Sequence, residues 1–175
     1  MAEANLLVTY DPAHSGKAMQ EVKLLLEEVE ESPSFLDSDV DGVFLLNVGD
    51  TKYAVKRLQE LCQNEPDKFR YTHRWVPIEK WISSDLSEME SAMEEFNERI
   101  DDDEKWKMDL VKRRYEDYST TDLIKKLTDK IDKQKVDLKN PEKIVKVEIL
   151  GDKAGVSLLE KEEFLEVDKI KKTLE

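Results

Sequence analysis

The sequence predicts an α+β fold, in which short apolar strands alternate with amphipathic helices. Three observations lead to this prediction. The 175 residues are 39% hydrophobic and 39% charged, which is typical of a folded chain with a soluble surface. Apolar runs such as NLLVTY (5–10) and VFLLNV (43–48) have the length of strands. Between these runs, apolar residues recur every three or four positions, as they do on one face of a helix.

The first half of the chain has the element order βαββαβ. Helices are predicted after Gly16 and from Asp50 or Thr51, and a weak strand near 35–36 precedes the run at 43–48. The extended segment FRYTHRWVPI (69–78) completes the order, which is the ferredoxin-like one. We therefore expect a ferredoxin-like domain over residues 1–80, with the single cysteine, Cys62, in its core.

The second half of the chain has the order αβαββ. A helix begins at Ser84-Asp85, and the alternation of Trp106, Met108 and Leu110 with polar residues predicts a half-buried strand. Ser119 caps the next helix, and two strands follow the break at 140–141. We expect a second domain over residues 81–175, packed on the first.

The net charge of −13 is unevenly distributed. Residues 105–146 contain 13 lysines and arginines against 8 acidic residues, whereas every other part of the chain is acidic. An acidic body with one basic segment can bind a polyanion locally while the rest of its surface repels non-specific binding. No apolar run approaches the roughly 18–20 residues of a membrane span, so we expect a cytoplasmic protein with no membrane partner.

Motifs for catalysis, cofactors and metals are not found in the sequence. The five glycines are scattered and form no phosphate loop, and His14 and His73 have no metal-ligand spacing. The stretch Asp37–Gly42 matches the first half of a calcium loop, but Val48 stands where the loop requires a bidentate glutamate. We therefore expect no catalytic residues, no cofactor and no metal.

A run of basic residues lies at the end of the strand that contains Trp106. Lys112, Arg113 and Arg114, followed by the amino end of the next helix, could bind a phosphate backbone, although a solvated strand edge explains them equally well. A second group, Lys139-Asn140-Pro141, would come close to the first if the two strands that carry them are neighbours.

Two stretches of this sequence resemble a known family. KVDLKNPEKIVKVEI (135–149), preceded by VKRR (111–114) and a helix, resembles the core of a THUMP domain, the RNA-binding module of several tRNA-modifying enzymes. RYTHRWVPI (70–78), with Arg70 and Arg74, resembles the junction before THUMP in the tRNA acetylation adaptor family. In that family a ferredoxin-like domain precedes THUMP and no catalytic domain is attached.

The resemblance implies that the protein binds the acceptor end or elbow of tRNA and sets the distance to a modification site. Lys112 and Arg114 fall on basic strand-end positions of the family, and Asn140 and Pro141 fall on its loop. Arg113 and Lys139 are added for their charge, and Arg70 and Arg74 for their place in the junction. The acidic first half is expected to face a protein partner.

The function that follows is that of a non-catalytic tRNA-binding adaptor, which presents tRNA to a separate cytidine acetyltransferase and does not bind DNA. One alternative is an RNA-binding subunit of a split tRNA thiolase or methylase. Another is a ferredoxin-like regulatory protein that binds no RNA.

Overall fold

The computed structural model describes residues 3–175, which form two compact units. Residues 3–78 and 162–175 belong to the first unit, and Glu79–Lys161 form the second. The sequence-based division into domains at residue 80 stays a prediction. The structure does place the segment Glu162–Glu175 in the first unit, because a short strand within it joins the first sheet.

Nine strands and five α-helices occur among the described residues. Along the chain they are β1 (Leu6–Tyr10), α1 (Ser15–Glu28), β2 (Ser34–Leu36), β3 (Val43–Asn47), α2 (Thr51–Asn64), β4 (Thr72–Pro77), β5 (Lys80–Ser83), α3 (Leu86–Arg99), β6 (Trp106–Arg113), α4 (Thr120–Thr128), β7 (Lys143–Leu150), β8 (Lys153–Leu159), β9 (Leu165–Glu166) and α5 (Val167–Thr173). The α+β class predicted from the sequence is confirmed.

The first unit contains an antiparallel sheet with the strand order β2-β3-β1-β4-β9. Its first four strands and two helices have the predicted order βαββαβ, while the ferredoxin-like class itself stays a prediction. Helix α2 begins where expected, because the Asp50 carboxylate accepts a hydrogen bond of 3.1 Å from the amide of Tyr53. Cys62 lies fully buried on α2, which confirms its prediction as a core residue.

The second unit contains a four-stranded sheet with the order β5-β8-β7-β6. Strands β6 and β7 are parallel and the other neighbours are antiparallel. Helices α3 and α4 cover one face, where Met93, Leu123 and Leu127 pack against Val145 and Val147. Strand β5 is not predicted by the sequence, since four residues at a sheet edge, two exposed and two half-buried, are too few to show a clear alternation.

Helix α4 connects β6 to β7. Because these strands are parallel, the chain leaves the carboxyl end of β6 and must return along α4 to the opposite end of the sheet before β7 begins. This crossover determines where the basic residues of segment 105–146 lie.

Candidate RNA interface

The carboxyl end of β6 carries the first predicted group of basic residues. Lys112 and Arg113 point to opposite faces of the sheet, as successive strand residues do. Arg114 follows in the left-handed region with a φ of 55°, which ends the strand. The turn between β7 and β8 supports this end, since the amide of Gly151 donates a 2.8 Å hydrogen bond to the carbonyl of Arg113.

Lys112 is half-buried and already oriented by the loop that follows β6. Its ammonium donates a 3.3 Å hydrogen bond to the carbonyl oxygen of Tyr115. An ammonium group has three donors, so this bond leaves capacity for a phosphate oxygen. The Tyr115 hydroxyl is buried and has no hydrogen-bond partner among the described residues, and burial, followed by the charge of Asp117, raises its pKa. It therefore remains neutral at physiological pH.

Arg113 forms an ion pair with Glu148. Its Nη1 lies 3.0 Å from Oε2 of Glu148 on β7, and the two side chains are only 17% and 1% exposed. Removing one partner of a buried pair typically costs about 3–5 kcal/mol, because the other charge is left uncompensated. Contact between Arg113 and phosphate stays a prediction, but the ion pair makes it a better support for the strand end than a ligand for RNA.

Arg114 is exposed at the start of the loop that follows β6. Its left-handed backbone turns the chain away from the sheet, and the loop then runs to Ser119, which caps α4 by accepting a 3.1 Å hydrogen bond from the amide of Asp122. Lys112, Arg114 and the amino end of α4 therefore lie at the same end of the sheet.

A second pair of charges lies on the same two strands. Lys146 is 1% exposed, and its Nζ lies 2.7 Å from the carboxylate of Asp109, which Lys107 approaches to 3.2 Å. Burial opposes ionisation of Asp109, but the two lysines outweigh it and hold the pKa of this carboxyl below its usual value. These lysines are thus paired within the protein.

The group Lys139-Asn140-Pro141 lies at the opposite end of the sheet. In the parallel register, Trp106 pairs with Lys143 and Arg113 pairs with Leu150, so the loop before β7 lies beside the start of β6. Seven strand steps of roughly 3.3 Å place the two ends about 23 Å apart. The expectation that neighbouring strands would bring Lys139 close to Lys112 is therefore wrong, because it holds only for antiparallel neighbours.

The loop around Lys139 has a defined shape. The Asp137 carboxylate accepts hydrogen bonds of 3.0 Å from the amides of Lys139 and Asn140. These bonds, that of Asn140 first, lower the pKa of Asp137. The amide of Asp137 donates to the carbonyl of Trp106, which attaches the loop to the start of β6. The backbone is thus fixed, and the Lys139 side chain is exposed.

Arg70 and Arg74 belong to the first unit. Arg70 is exposed, with its guanidinium carbon 6.0 Å from the centre of the Tyr71 ring. Arg74 is half-buried on β4, where its amide donates a 3.1 Å hydrogen bond to Thr9 Oγ1. Their role in RNA binding stays a prediction.

Three exposed lysines on and just after α4 are absent from the predicted site: Lys125, Lys126 and Lys130, here called the α4 lysines. The sequence signal was available, because LIKKLTDK (123–130) places the charged residues outside the apolar stripe. Lysines on the polar face of a helix are so common, however, that this pattern alone does not indicate a binding site.

Neither a metal-binding cluster nor a membrane-spanning helix occurs in the part of the chain that the structure describes. Among residues 3–175, no group of three or more histidine, cysteine, aspartate or glutamate side chains could hold a metal ion. Within the same residues, no helix combines the length and apolar composition needed to cross a membrane.

Comparison with protein families finds one match within the second unit. Residues 83–159 match the family model of the THUMP domain, which confirms that part of the resemblance. The match covers β6, α4 and β7 together with both loops that carry the basic residues. THUMP is an RNA-binding domain associated with tRNA modification. A search of curated proteins finds no match.

Comparison with solved structures shows the same fold at low identity. PH1313 from Pyrococcus horikoshii matches with a TM-score of 0.64 and 12% identity over 93% of this chain. TrmN from Thermus thermophilus matches with a TM-score of 0.56 and 14% identity over 87% of this chain. A protein described as a predicted N6-adenine-specific DNA methylase from Listeria monocytogenes matches with a TM-score of 0.55 and 12% identity over 90% of this chain. This chain spans 55%, 44% and 40% of these three chains, respectively.

Proposed function

We propose that this protein is a non-catalytic tRNA-binding adaptor that presents tRNA to a separate modification enzyme. The observation that carries the proposal is the carboxyl end of β6 within the THUMP segment, where Lys112 and Arg114 lie beside the amino end of α4. This end offers two cationic side chains and helix amides to a phosphate backbone. Contacts of this kind position an RNA without reading its sequence.

Arg113 supports this site indirectly. Its ion pair with Glu148 connects β6 to β7 and holds the strand end at which Lys112 and Arg114 project. Replacement of Arg113 by alanine would therefore weaken the site by moving the strand end and not only by removing one charge.

The acetyltransferase as partner rests on the resemblance of segment 70–78 to the junction that precedes THUMP in the acetylation adaptor family. The charge of the first unit supports a protein partner on that side, since its two stretches contain 11 lysines and arginines against 19 acidic residues. Such a surface repels a polyanion and attracts a basic protein. We expect the protein to act on cytoplasmic tRNA, bound through the acceptor end or elbow.

A second candidate is the RNA-binding part of a methylase or thiolase. The fold is similar to that of the Listeria protein, whose title names a methylase, and this chain spans 40% of that protein. Both candidates require RNA binding and differ in the enzyme that the domain serves. A third, a regulatory protein that binds no RNA, is separated from both by a tRNA-binding measurement.

Binding of total tRNA across a series of salt concentrations tests the interface. Each lost phosphate contact flattens the slope of log K against log salt by roughly 0.7–0.9, so the double variant Lys112→Ala/Arg114→Ala should lose about 1.5 units. The charge-matched control Lys17→Ala/Lys23→Ala, in α1, should keep the wild-type slope. A double variant with wild-type affinity and slope would refute this interface, and a wild-type chain that does not bind tRNA would refute the function.

Two further measurements test the adaptor proposal. The purified chain, supplied with tRNA and an acetyl, methyl or sulfur donor, should give no modified nucleotide. Turnover by contaminant-free protein would show that the chain is itself an enzyme. Affinity purification from the source cell should recover an acetyltransferase, whereas recovery of a methylase or thiolase would favour the second candidate.

A further inference from the structure

The position of α4 between the two basic ends of the sheet is not explained by the interface proposed above. Lys112 and Arg114 lie at one end of the parallel pair β6–β7, and Lys139 lies at the other, about 23 Å away by the strand rise. Helix α4 starts at the first end, and the nine residues Thr120–Thr128 extend about 13 Å toward the second. The helix therefore lies along the path from one basic group to the other.

The orientation of α4 is set by its apolar residues. Leu123 and Leu127 are fully buried against the sheet, so the opposite side of the helix faces solvent. Lys125 is two positions from each leucine and therefore points away from the sheet, while Lys126 lies on a flank and Lys130 follows the last turn. All three side chains are exposed.

Unlike Arg113, Lys133 and Lys146 of the same segment, the α4 lysines form no ion pair among the described residues. Among the described residues, no carboxylate oxygen lies within the 4.0 Å ion-pair distance of their Nζ atoms, although Asp122 belongs to α4 and Asp129 follows its last residue. Lys133, by comparison, is held by Asp102 at 3.1 Å. The unpaired lysines provide the cationic surface that a polyanion requires.

Lys126 also connects this surface to the first basic end. Its Nζ lies 5.3 Å from the centre of the Tyr118 ring, in the loop between β6 and α4. This cation–π contact directs the ammonium back toward the amino end of the helix, where Arg114 lies. The Tyr118 ring is half-buried, so part of it lies at the surface beside the Lys126 ammonium.

We propose that the α4 lysines form a second phosphate-binding surface, along which the backbone of a bound RNA runs from Lys112 and Arg114 toward Lys139. This inference rests on the proposed tRNA binding and names the path of the RNA over the domain. It also explains how two basic groups at opposite ends of one sheet can contact the same molecule. The contacts are to phosphates, so they add affinity and orientation without base specificity.

The test uses the full chain and total tRNA. The variant Lys125→Ala/Lys126→Ala/Lys130→Ala should bind at least tenfold more weakly at low salt, with a slope of log K against log salt flattened by about two units. The matched control is Lys17→Ala/Lys23→Ala/Lys56→Ala, which removes the same charge from exposed positions of α1 and α2. Circular dichroism should show both variants folded, since all six replaced side chains are exposed and alanine favours helix.

A residue-level readout complements the slope. With wild-type protein, bound tRNA should protect Lys125, Lys126 and Lys130 from acetylation by a soluble, amine-reactive acetylating reagent. Lys23 and Lys56 should remain reactive. A wild-type slope for the α4 variant, or unprotected α4 lysines, would overturn the inference. If Lys112→Ala/Arg114→Ala still weakens binding in that case, the proposed function stands without the α4 path. If the wild-type chain does not bind tRNA, both proposals fail.

Discussion

Glu21 gives the sharpest prediction for the stability of the first unit. This residue of α1 is 8% exposed, and its carboxylate receives backbone amides from three consecutive residues. Oε1 accepts from Arg70 at 2.6 Å, Oε2 accepts from Thr72 at 2.9 Å, and Tyr71 donates to both. One side chain thus fixes the segment that leads into β4 and carries Arg70.

The variant Glu21→Ala removes all of these acceptors. A hydrogen bond to a charged group contributes about 1.5–3 kcal/mol, but the amides of Arg70 and Tyr71 lie near the surface and can be rehydrated. The Thr72 amide belongs to a residue only 1% exposed and would lose its partner without replacement. We therefore expect the free energy of unfolding to fall by about 3 kcal/mol, and not by the sum of three full bonds.

Urea denaturation followed by circular dichroism measures this loss. With a denaturant slope of about 2 kcal/mol per molar, the midpoint should fall by roughly 1.5 M while the slope stays constant. Glu21→Gln, which keeps one acceptor oxygen, should lie between wild type and alanine. Glu28→Ala, which removes the exposed partner of Lys68, should move the midpoint by only a small fraction of that shift. Equal midpoints for Glu21→Ala and Glu28→Ala would refute the reasoning.

A glycine substitution and a thiol reagent test two further features of the structure. Gly151 has a φ of 63° in the turn between β7 and β8, so Gly151→Ala should lower the free energy of unfolding by about 1–2 kcal/mol in urea titrations, whereas Gly16→Ala, where nothing lies within 4 Å of the added methyl group, should not. Burial raises the pKa of the Cys62 thiol to about 11, so a thiol reagent at pH 8 should label the unfolded chain and spare the native one. Because the native thiol keeps its proton longer than the unfolded one, its contribution to stability should be lost as the pH rises from about 9 to 11.

Local patterns predicted the elements of the fold well. The order βαββαβ, the cap at Asp50 and the burial of Cys62 follow from turn residues and periodicity. The THUMP match follows from the resemblance of residues 111–114 and 135–149 to that domain. Strand β5 could not be predicted, because a four-residue edge strand is too short to show an alternation of apolar and polar residues. The two-residue strand β9 could not be predicted for the same reason.

The geometry of the candidate site could not be predicted in this way. The separation of Lys139 from Lys112 depends on the relative direction of β6 and β7, which is a property of the whole sheet. The alternation in VKVEIL (145–150) suggests that Lys146 and Glu148 face solvent, yet each is 1% exposed. Burial of that face depends on packing beyond the strand itself. The ion pair between Arg113 and Glu148 therefore cannot be predicted from the residues around either side chain.

The assignment of Glu162–Glu175 to the first unit has a consequence for the order of folding during synthesis. A ribosome that has made the first 78 residues has produced β1 to β4, but β9 and α5 follow only after another 83 residues, those of the second unit, have emerged. Until then the edge of β4 lacks its neighbour, and the Lys171 ammonium cannot donate to the carbonyl of Phe69. The nascent chain therefore exposes an unpaired strand edge throughout translation of the second unit, and chaperones that recognise such edges would act during that interval.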